Sequence, residues 1–305
     1  DAGEKMTGGG NATIVGYQAG QNNTAHELTA FGSKAGNANT SGGGITAIGR
    51  EAYDNADTEN HNTAVGLNSI GGPVNGGEYN VAVGNYTLDA LTSSDFNTAV
   101  GYQAGSAVTT GDGNTLFGYQ AGLAVTGAGA YNVCLGVQAG LAITTGIRNT
   151  MVGQAGYNYD TENDNTGIGH AAVGGPINGG EFNVGVGNFS LDALTSGDDN
   201  TAVGYNSGTN IAAGTDNLAL GKDAMSVVVG GSGNICIGSG ADVADGAADF
   251  TTAIGFQVGG TAGYTTIGKT TDDIRAAHGN TTWNTVSDER FKKNIETSDA
   301  GLAVI

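Results

Sequence analysis

Aspartates in glycine-rich turns are the first residues of this chain to consider as metal ligands. The segment 230–235 begins like a calcium-binding glycine-rich nonapeptide, but Ile235 stands where the metal-binding aspartate would be. Asp112 and the pair Asp198 and Asp199 are isolated in short polar turns. We therefore expect solvated turn carboxylates, and we predict neither a metal site nor a cofactor.

The histidines and the remaining carboxylates do not define a second kind of reactive site. The histidines are scattered without the spacing of metal ligands: His26, His61, His170 and His278. Glycoside cleavage needs two carboxyl groups at a set separation in space, and spacing along the sequence selects no such pair. The function must therefore be inferred from the arrangement of the repeated strands and turns.

A glycine that recurs about every 17 residues organises almost the whole chain. The interval varies by at most one residue either way until the last, which is shorter. The sixteen anchor glycines are Gly16, Gly32, Gly49, Gly66, Gly84, Gly101, Gly118, Gly136, Gly153, Gly169, Gly187, Gly204, Gly221, Gly238, Gly255 and Gly268. A unit of this size cannot bury its own apolar face, so the units must stack. The repeat predicts an all-β protein, a parallel β-roll or β-solenoid of about 16 coils of about 17 residues.

The residues before each anchor glycine form columns with distinct chemistry. The residue directly before it is always apolar, and the residue two before it is usually small, as in Ala99 and Ala202. Alternate residues of a strand face opposite sides. We assign the face with the larger residues, one and three before the glycine and either aliphatic or threonine, to the protomer's own core. The small side would then let a symmetry mate approach closely.

Asparagine occupies the position four before the anchor in eleven consecutive coils, Asn62 through Asn234. Identical asparagines about 4.8 Å apart can hydrogen-bond along a stack as a ladder. Asparagine also favours turn conformations. Both interpretations are structural, and the sequence leaves them open.

A longer period lies over the short one. The segment 71–78 returns at 174–181, an offset of 103 residues or six coils, so a six-coil block is duplicated. We interpret the Gly-Gly-Pro and Leu-Asp-Ala-Leu segments as insert-like decorations. Cys134 and Cys236 share a repeat position six coils apart, roughly 29 Å, which excludes a disulfide between them. We expect both to be small core residues.

Composition and charge exclude several partners. The chain has 57 glycines, two prolines and a net charge of −19, which opposes binding to nucleic acid and to anionic membranes. No run of 18 apolar residues is present, so we expect no membrane insertion. Because the chain starts at Asp1, without an initiating Met, we expect it to belong to a longer protein.

The C-terminal word 287–295, Ser-Asp-Glu-Arg-Phe-Lys-Lys-Asn-Ile, closely resembles the opening of the intramolecular chaperone domain of phage tail fibres, tailspikes and endosialidases. That family trimerises its fibre and then cuts itself between the Ser and Asp of this motif. The resemblance implies that Ser287 is the nucleophile, that Lys292 is its general base and that Asp288 begins the released fragment. It covers about nine residues, and the chain departs from the family by ending at Ile305.

The repeats carry a second resemblance. The word Asn-Thr-Ala-Val-Gly-Tyr is similar to the head repeats of trimeric autotransporter adhesins, whose coils are shorter than those here. Together these features divide the chain into an N-terminal linker (1–10), a β-roll (11–268), a neck (269–286) and the start of a truncated chaperone domain (287–305). The expected protein is a homotrimeric fibre of a phage tail or contractile injection system.

Several consequences follow for function. We expect a virion location, attachment to other tail or baseplate proteins, and binding to a glycan or protein receptor of the host cell, with no enzymatic turnover beyond the self-cleavage. Aromatic residues after the anchors could stack on sugars or pack on the next coil, and the candidate glycan contacts are Tyr17, Tyr102, Tyr119 and Tyr205. The alternatives are a trimeric adhesin on a bacterial surface and a tailspike that cleaves polysaccharide.

Overall fold

The chain folds into a parallel β-solenoid. The computed structural model describes residues 1–5, 10–24, 27–156, 161–279 and 284–285 of the 305 residues, and within them it contains strands and turns and no helix. Each of the sixteen repeats contributes one strand to a single parallel stack. Successive strands are spaced along the sequence as the anchor glycines are. The parallel strands are β1 (Thr13–Val15), β2 (Leu28–Phe31), β3 (Ile45–Ile48), β4 (Thr63–Val65), β5 (Val81–Val83), β6 (Thr98–Val100), β7 (Thr115–Phe117), β8 (Val133–Leu135), β9 (Thr150–Val152), β10 (Thr166–Ile168), β11 (Val184–Val186), β12 (Thr201–Val203), β13 (Leu218–Leu220), β14 (Ile235–Ile237), β16 (Thr252–Phe256) and β18 (Tyr264–Lys269).

The strands pair in the register that the repeat predicts. Val100 lies opposite Phe117, and Phe117 lies opposite Leu135, so the apolar column stacks from coil to coil. At about 4.8 Å per strand the parallel stack is on the order of 75 Å long. The predicted fold class is confirmed.

The parallel stack ends where the chain reverses after β18. Strand β19 (Asp272–Ala277) pairs antiparallel with β18, and β20 (Asn284–Thr285) pairs antiparallel with β19. A small second sheet forms beside the last coils, where β15 (Asp242–Val243) pairs in parallel with β17 (Gly259–Gly260).

The assignment of the two strand faces from the sequence is wrong. The residues two before each anchor, from Ala30 to Thr266, are buried and form the core of the protomer. The large residues one before the anchor point outward, and none of them is buried in the single chain; Phe117 is 56% exposed. Within the strands, the residues one before the anchor thus lie on the outside, and the mostly small residues two before it lie on the inside.

The narrowness of the coil explains this reversal. A coil this short leaves little room between its opposite walls, so the sizes of facing residues are matched across the gap. Leu116 faces Gly122, where an added Cβ would lie 2.6 Å from its Cδ2. In another coil the pair is inverted: Gly185 faces Val173, whose Cγ2 would lie 2.6 Å from an added Cβ. A large inward residue is thus matched by a glycine on the facing wall.

The anchor glycines are required by the backbone at each step of the stack. Gly101 has φ of +135°, which side-chain-bearing residues rarely adopt. A Cβ on Gly101 would collide with the carbonyl oxygen of Gly118 in the next coil. The anchor glycines are therefore explained by the close approach of the next coil of the same protomer, and no symmetry mate is needed to explain them.

The asparagine column forms a ladder. Asn114 is fully buried, and its Nδ2 donates to Oδ1 of Asn97 at 3.0 Å, while Asn132 donates to Oδ1 of Asn114 at 3.2 Å. The same Oδ1 also accepts the backbone N–H of Asn132 at 3.0 Å. Of the two interpretations that the sequence left open, the ladder is the one observed.

The two six-coil blocks share their hydrogen bonds as well as their sequence. Glu59 accepts the backbone N–H of Gly76 at 2.9 Å, and Glu162 accepts that of Gly179 at 3.0 Å. The repeated segments are nevertheless not decorations. The Leu-Asp-Ala-Leu leucines are fully buried in the core of both blocks: Leu88, Leu91, Leu191 and Leu194.

Candidate interaction surface

The outward face of the parallel sheet is an uncharged surface, with one apolar column and one mostly threonine column, and no other part of the described chain covers it. We call it the outer stripe and define it as the residues one and three before each anchor glycine. The first column holds Val, Ile, Leu and Phe, the second holds Thr, Val, Leu and Ile, and neither contains a charged residue in a chain of net charge −19. None of these residues is buried in the single chain. The stripe is therefore a continuous surface suited to a partner.

The size of the outer stripe is close to that of a protein interface. Its length on the order of 75 Å and its width, three residues at about 3.3 Å, give roughly 750 Å². A stable interface takes about 800 Å² from each partner. The stripe is therefore of the size that one side of such an interface needs.

Aromatic side chains line one edge of the outer stripe, directly after the anchor glycines. Tyr102 and Tyr119 stack with ring centroids 5.7 Å apart and planes at 11°. All four predicted glycan contacts are exposed, and the structure brings only Tyr102 and Tyr119 together, since Tyr17 and Tyr205 lie in distant coils. Tyr205 instead contacts Phe189 edge-on at 6.0 Å.

Glutamines support this edge by a short ladder of their own. Gln120 donates to Gln103 at 3.0 Å, and Gln138 donates to Gln120 at 3.2 Å. All three have φ near +55°, which turns the chain away from the sheet after Tyr102, Tyr119 and Val137. The aromatic edge is thus held in register with the strands.

A second aromatic column was missed in the sequence. It consists of the residues five before each anchor glycine, which we call the turn column. His61 and Tyr79 stack at 5.0 Å, and Tyr79 and Phe96 stack at 5.4 Å. The signal was present, because aligning the coils on their glycines places these residues in one column, although aspartate and glycine occupy it in other coils.

The other candidate sites are a metal cluster, the two cysteines and the self-cleavage residues. Within the described ranges no group of three or more His, Cys, Asp or Glu side chains could hold a metal ion. Cys134 and Cys236 are buried and unpaired, and burial raises the pKa of each thiol to about 12. Ser287, Asp288 and Lys292 lie outside the described residues.

The described surface carries few basic groups, and most of them pair with neighbouring side chains. Arg148 donates to both carboxylate oxygens of Asp164 in the next coil, each at 2.6 Å. This hydrogen bonding lowers the pKa of Asp164 and raises that of Arg148. The pair is exposed, so it contributes little to stability.

Comparison with protein-family models and with curated protein sequences finds no match to this chain. Among the described residues there is also no helix whose length and apolar character would let it cross a membrane. The candidate function therefore depends on the solenoid, its outer stripe and its aromatic columns.

Proposed function

We propose that this chain is the structural and receptor-binding part of a homotrimeric tail fibre, from a phage or a related contractile injection device. The observation that carries the proposal is the outer stripe, a charge-free surface that follows the rod through all sixteen coils. A surface of this kind is costly to leave in water, so a partner as long as the rod is needed.

Other copies of the same chain are the partner that fits the outer stripe best. A second copy has the same spacing from coil to coil, so its apolar columns match those of the first along the whole length. The roughly 750 Å² available per chain is close to the 800 Å² per partner of a stable association. Three copies, rather than two, are proposed because the repeats resemble trimeric adhesin heads and the C-terminal word resembles trimeric fibres.

The oligomeric state tests this proposal directly. We expect light scattering on the purified protein to give the mass of three chains at micromolar concentration. Phe117→Asp places one carboxylate per chain in the stripe and should dissociate the assembly while preserving the strand signal in circular dichroism, because Phe117 is exposed in the single chain.

Val229→Asp is the matched control for Phe117→Asp. Val229 is 53% exposed but lies away from the strands, so this charge should leave the trimer intact. A stable wild-type monomer would contradict the proposal. So would a Phe117→Asp trimer as stable as the Val229→Asp trimer.

In this proposal the fibre matures by cutting off a C-terminal chaperone. The support is the nine-residue word at 287–295. Ser287 would act as the nucleophile and Lys292 as the base that takes its proton, which requires a neutral, desolvated amine. Hydrolysis of the bond between Ser287 and Asp288 consumes one water and releases a free amine on Asp288.

Expression of the full-length gene tests this maturation. A fragment that begins at Asp288 should appear on a denaturing gel, and Ser287→Ala or Lys292→Ala should leave the chain uncut. Lys293→Ala is the matched control and should be cut normally. Efficient cutting of the Lys292→Ala variant, or a fragment with another N-terminus, would exclude the mechanism.

A further inference from the structure

The turn column is built as a stack of rings with a gap in it. Five consecutive coils carry His61, Tyr79, Phe96, Gly113 and Tyr131 at this position, all with φ between 57° and 68°. Backbone hydrogen bonds hold the coils in register: the Gly113 N–H donates to the Asp95 carbonyl at 3.0 Å. The Tyr131 N–H donates to the Asp112 carbonyl at 2.9 Å. The gap is therefore a fixed feature of the rod.

Each ring of the turn column lies at the level of the preceding coil. A Cβ added to Gly113 would lie 2.7 Å from Cδ1 of Tyr131. The same arrangement occurs at Gly233, which lies under the ring of Phe250 at 2.9 Å. Because Gly113 supplies no ring of its own, the rings of Phe96 and Tyr131 are separated by two coil spacings, about 10 Å.

The rings that border the gap are accessible. Tyr79 has a ring stacked on both sides. Phe96 stacks on Tyr79 alone, and among the described residues no ring stacks on Tyr131. Phe96 and Tyr131 are each 62% exposed, so a ligand can reach both.

We propose that this gap, which we call the ring slot, binds one pyranose ring of a neutral glycan between Phe96 and Tyr131. Two rings in contact have centroids about 4.5–7 Å apart, so a spacing of about 10 Å admits one further ring in contact with both walls. The inference deepens the receptor-binding role proposed above and rests on it.

The residues around the ring slot favour a sugar over other flat guests. Asp95 and Asp112 directly precede Phe96 and Gly113 in the chain, and Oδ1 of each accepts a backbone N–H of the preceding coil, which fixes the carboxylates in place. Carboxylates accept hydrogen bonds from the hydroxyls of a sugar ring. The net charge of −19 disfavours an anionic sugar, so the glycan is neutral.

The second block of coils lacks the ring slot. The coil equivalent to that of Phe96 carries Asp199, and the coil equivalent to that of Gly113 carries Asp216. Phe250 covers Gly233 as Tyr131 covers Gly113, but Asp216 stands where the opposite ring would be. This second position has one ring wall, Phe250, and lacks the other, so it serves as a control for the need of two rings.

Binding of neutral hexasaccharides of glucose, galactose, mannose and N-acetylglucosamine tests the proposal, using saturation-transfer NMR and calorimetry on the intact protein. At least one should bind at millimolar concentration, and Phe96→Ala or Tyr131→Ala should each weaken it about tenfold. Gly113→Tyr should abolish binding by filling the gap, since Tyr79 already occupies the same backbone conformation between two rings. The exposed Tyr131 ring must shift to admit it, because an added Cβ would lie 2.7 Å from Cδ1 of Tyr131. Phe250→Ala should leave binding unchanged.

Several results would overturn the ring slot. They are no binding of any hexasaccharide, equal binding by Gly113→Tyr and wild type, or binding of tetramethylammonium or a nucleoside in place of sugar. Light scattering on the same samples separates this inference from the proposed trimer. Loss of the trimer in Phe96→Ala or Tyr131→Ala would assign these rings to the subunit interface and overturn the slot, whereas an intact trimer that binds no sugar refutes the slot alone.

Discussion

Replacing Asn114 by alanine should cut the asparagine ladder in the middle of the rod. The Asn132 N–H would lose its acceptor, and the buried carbonyl of Gly129 would lose the 3.0 Å bond from Nδ2 of Asn114. Asn97 keeps a partner, because its Oδ1 still accepts the Asn114 N–H at 2.8 Å. Two buried groups without partners cost about 1–3 kcal/mol each, so we expect a loss of roughly 2–6 kcal/mol in unfolding free energy.

The loss should be local, because a solenoid is stabilised by contacts between neighbouring coils. Urea unfolding followed by circular dichroism measures the total loss. Hydrogen exchange with mass spectrometry should show faster exchange in peptides from residues 97–149 than in those from the ends of the rod. Asn75→Ala is the control, since Asn75 is exposed and its side chain makes no hydrogen bond with the described residues; its effect should stay within about 0.5 kcal/mol.

Asn114→Asp distinguishes the ladder from a simple turn preference. Aspartate forms turns as readily as asparagine, so a turn role predicts little change. In the ladder, aspartate keeps an acceptor for Asn132 but turns a carboxylate oxygen towards the Gly129 carbonyl, with no hydrogen to share. We expect Asn114→Asp to destabilise at least as much as Asn114→Ala at pH 7. A neutral effect of both substitutions would refute the ladder as a source of stability.

Two further predictions follow from the core. Gly101→Ala should lower the unfolding free energy by about 3 kcal/mol or more in urea unfolding, because of its positive φ and the collision with Gly118, whereas Gly230→Ala, with no atom within 4 Å of an added Cβ, should have little effect. Cys134 and Cys236, whose thiol pKa values burial raises to about 12, should not react with a disulfide reagent at pH 8 until the protein is denatured; fast reaction of the native protein would show that these coils open.

The solenoid could be predicted from sequence because its signal is periodic. The spacing of the anchor glycines gives the coil length, and the apolar column that includes Val100 and Phe117 gives the strand position and register. The inside and outside of the strand could not be predicted in the same way. Both faces are uncharged, and hydrophobicity alone assigns Phe117 to the core, whereas the narrow interior admits Ala99 and excludes larger pairs.

The candidate sites were less predictable for different reasons. The four tyrosines after the anchors were found because they follow a fixed glycine, but their stacking depends on neighbouring coils carrying the same residue, as in Tyr102 and Tyr119. The turn column is hidden because its residue types vary, and the ring slot depends on a missing side chain at Gly113. The gap at Gly113 can be recognised only when the structure shows which residues lie in the adjacent coils.

The matching hydrogen bonds of the two six-coil blocks have a consequence for how such a rod can change its length. Glu59 and Glu162 make the same contacts with their next coil, although each belongs to a different copy. A whole block of six coils can therefore be gained or lost while the contacts at its boundaries are kept, and the rod then changes length by about 29 Å. An insertion of a single residue within a strand would instead exchange its inner and outer faces beyond that point. Duplication of blocks thus lets the length of the molecule change while the fold stays constant.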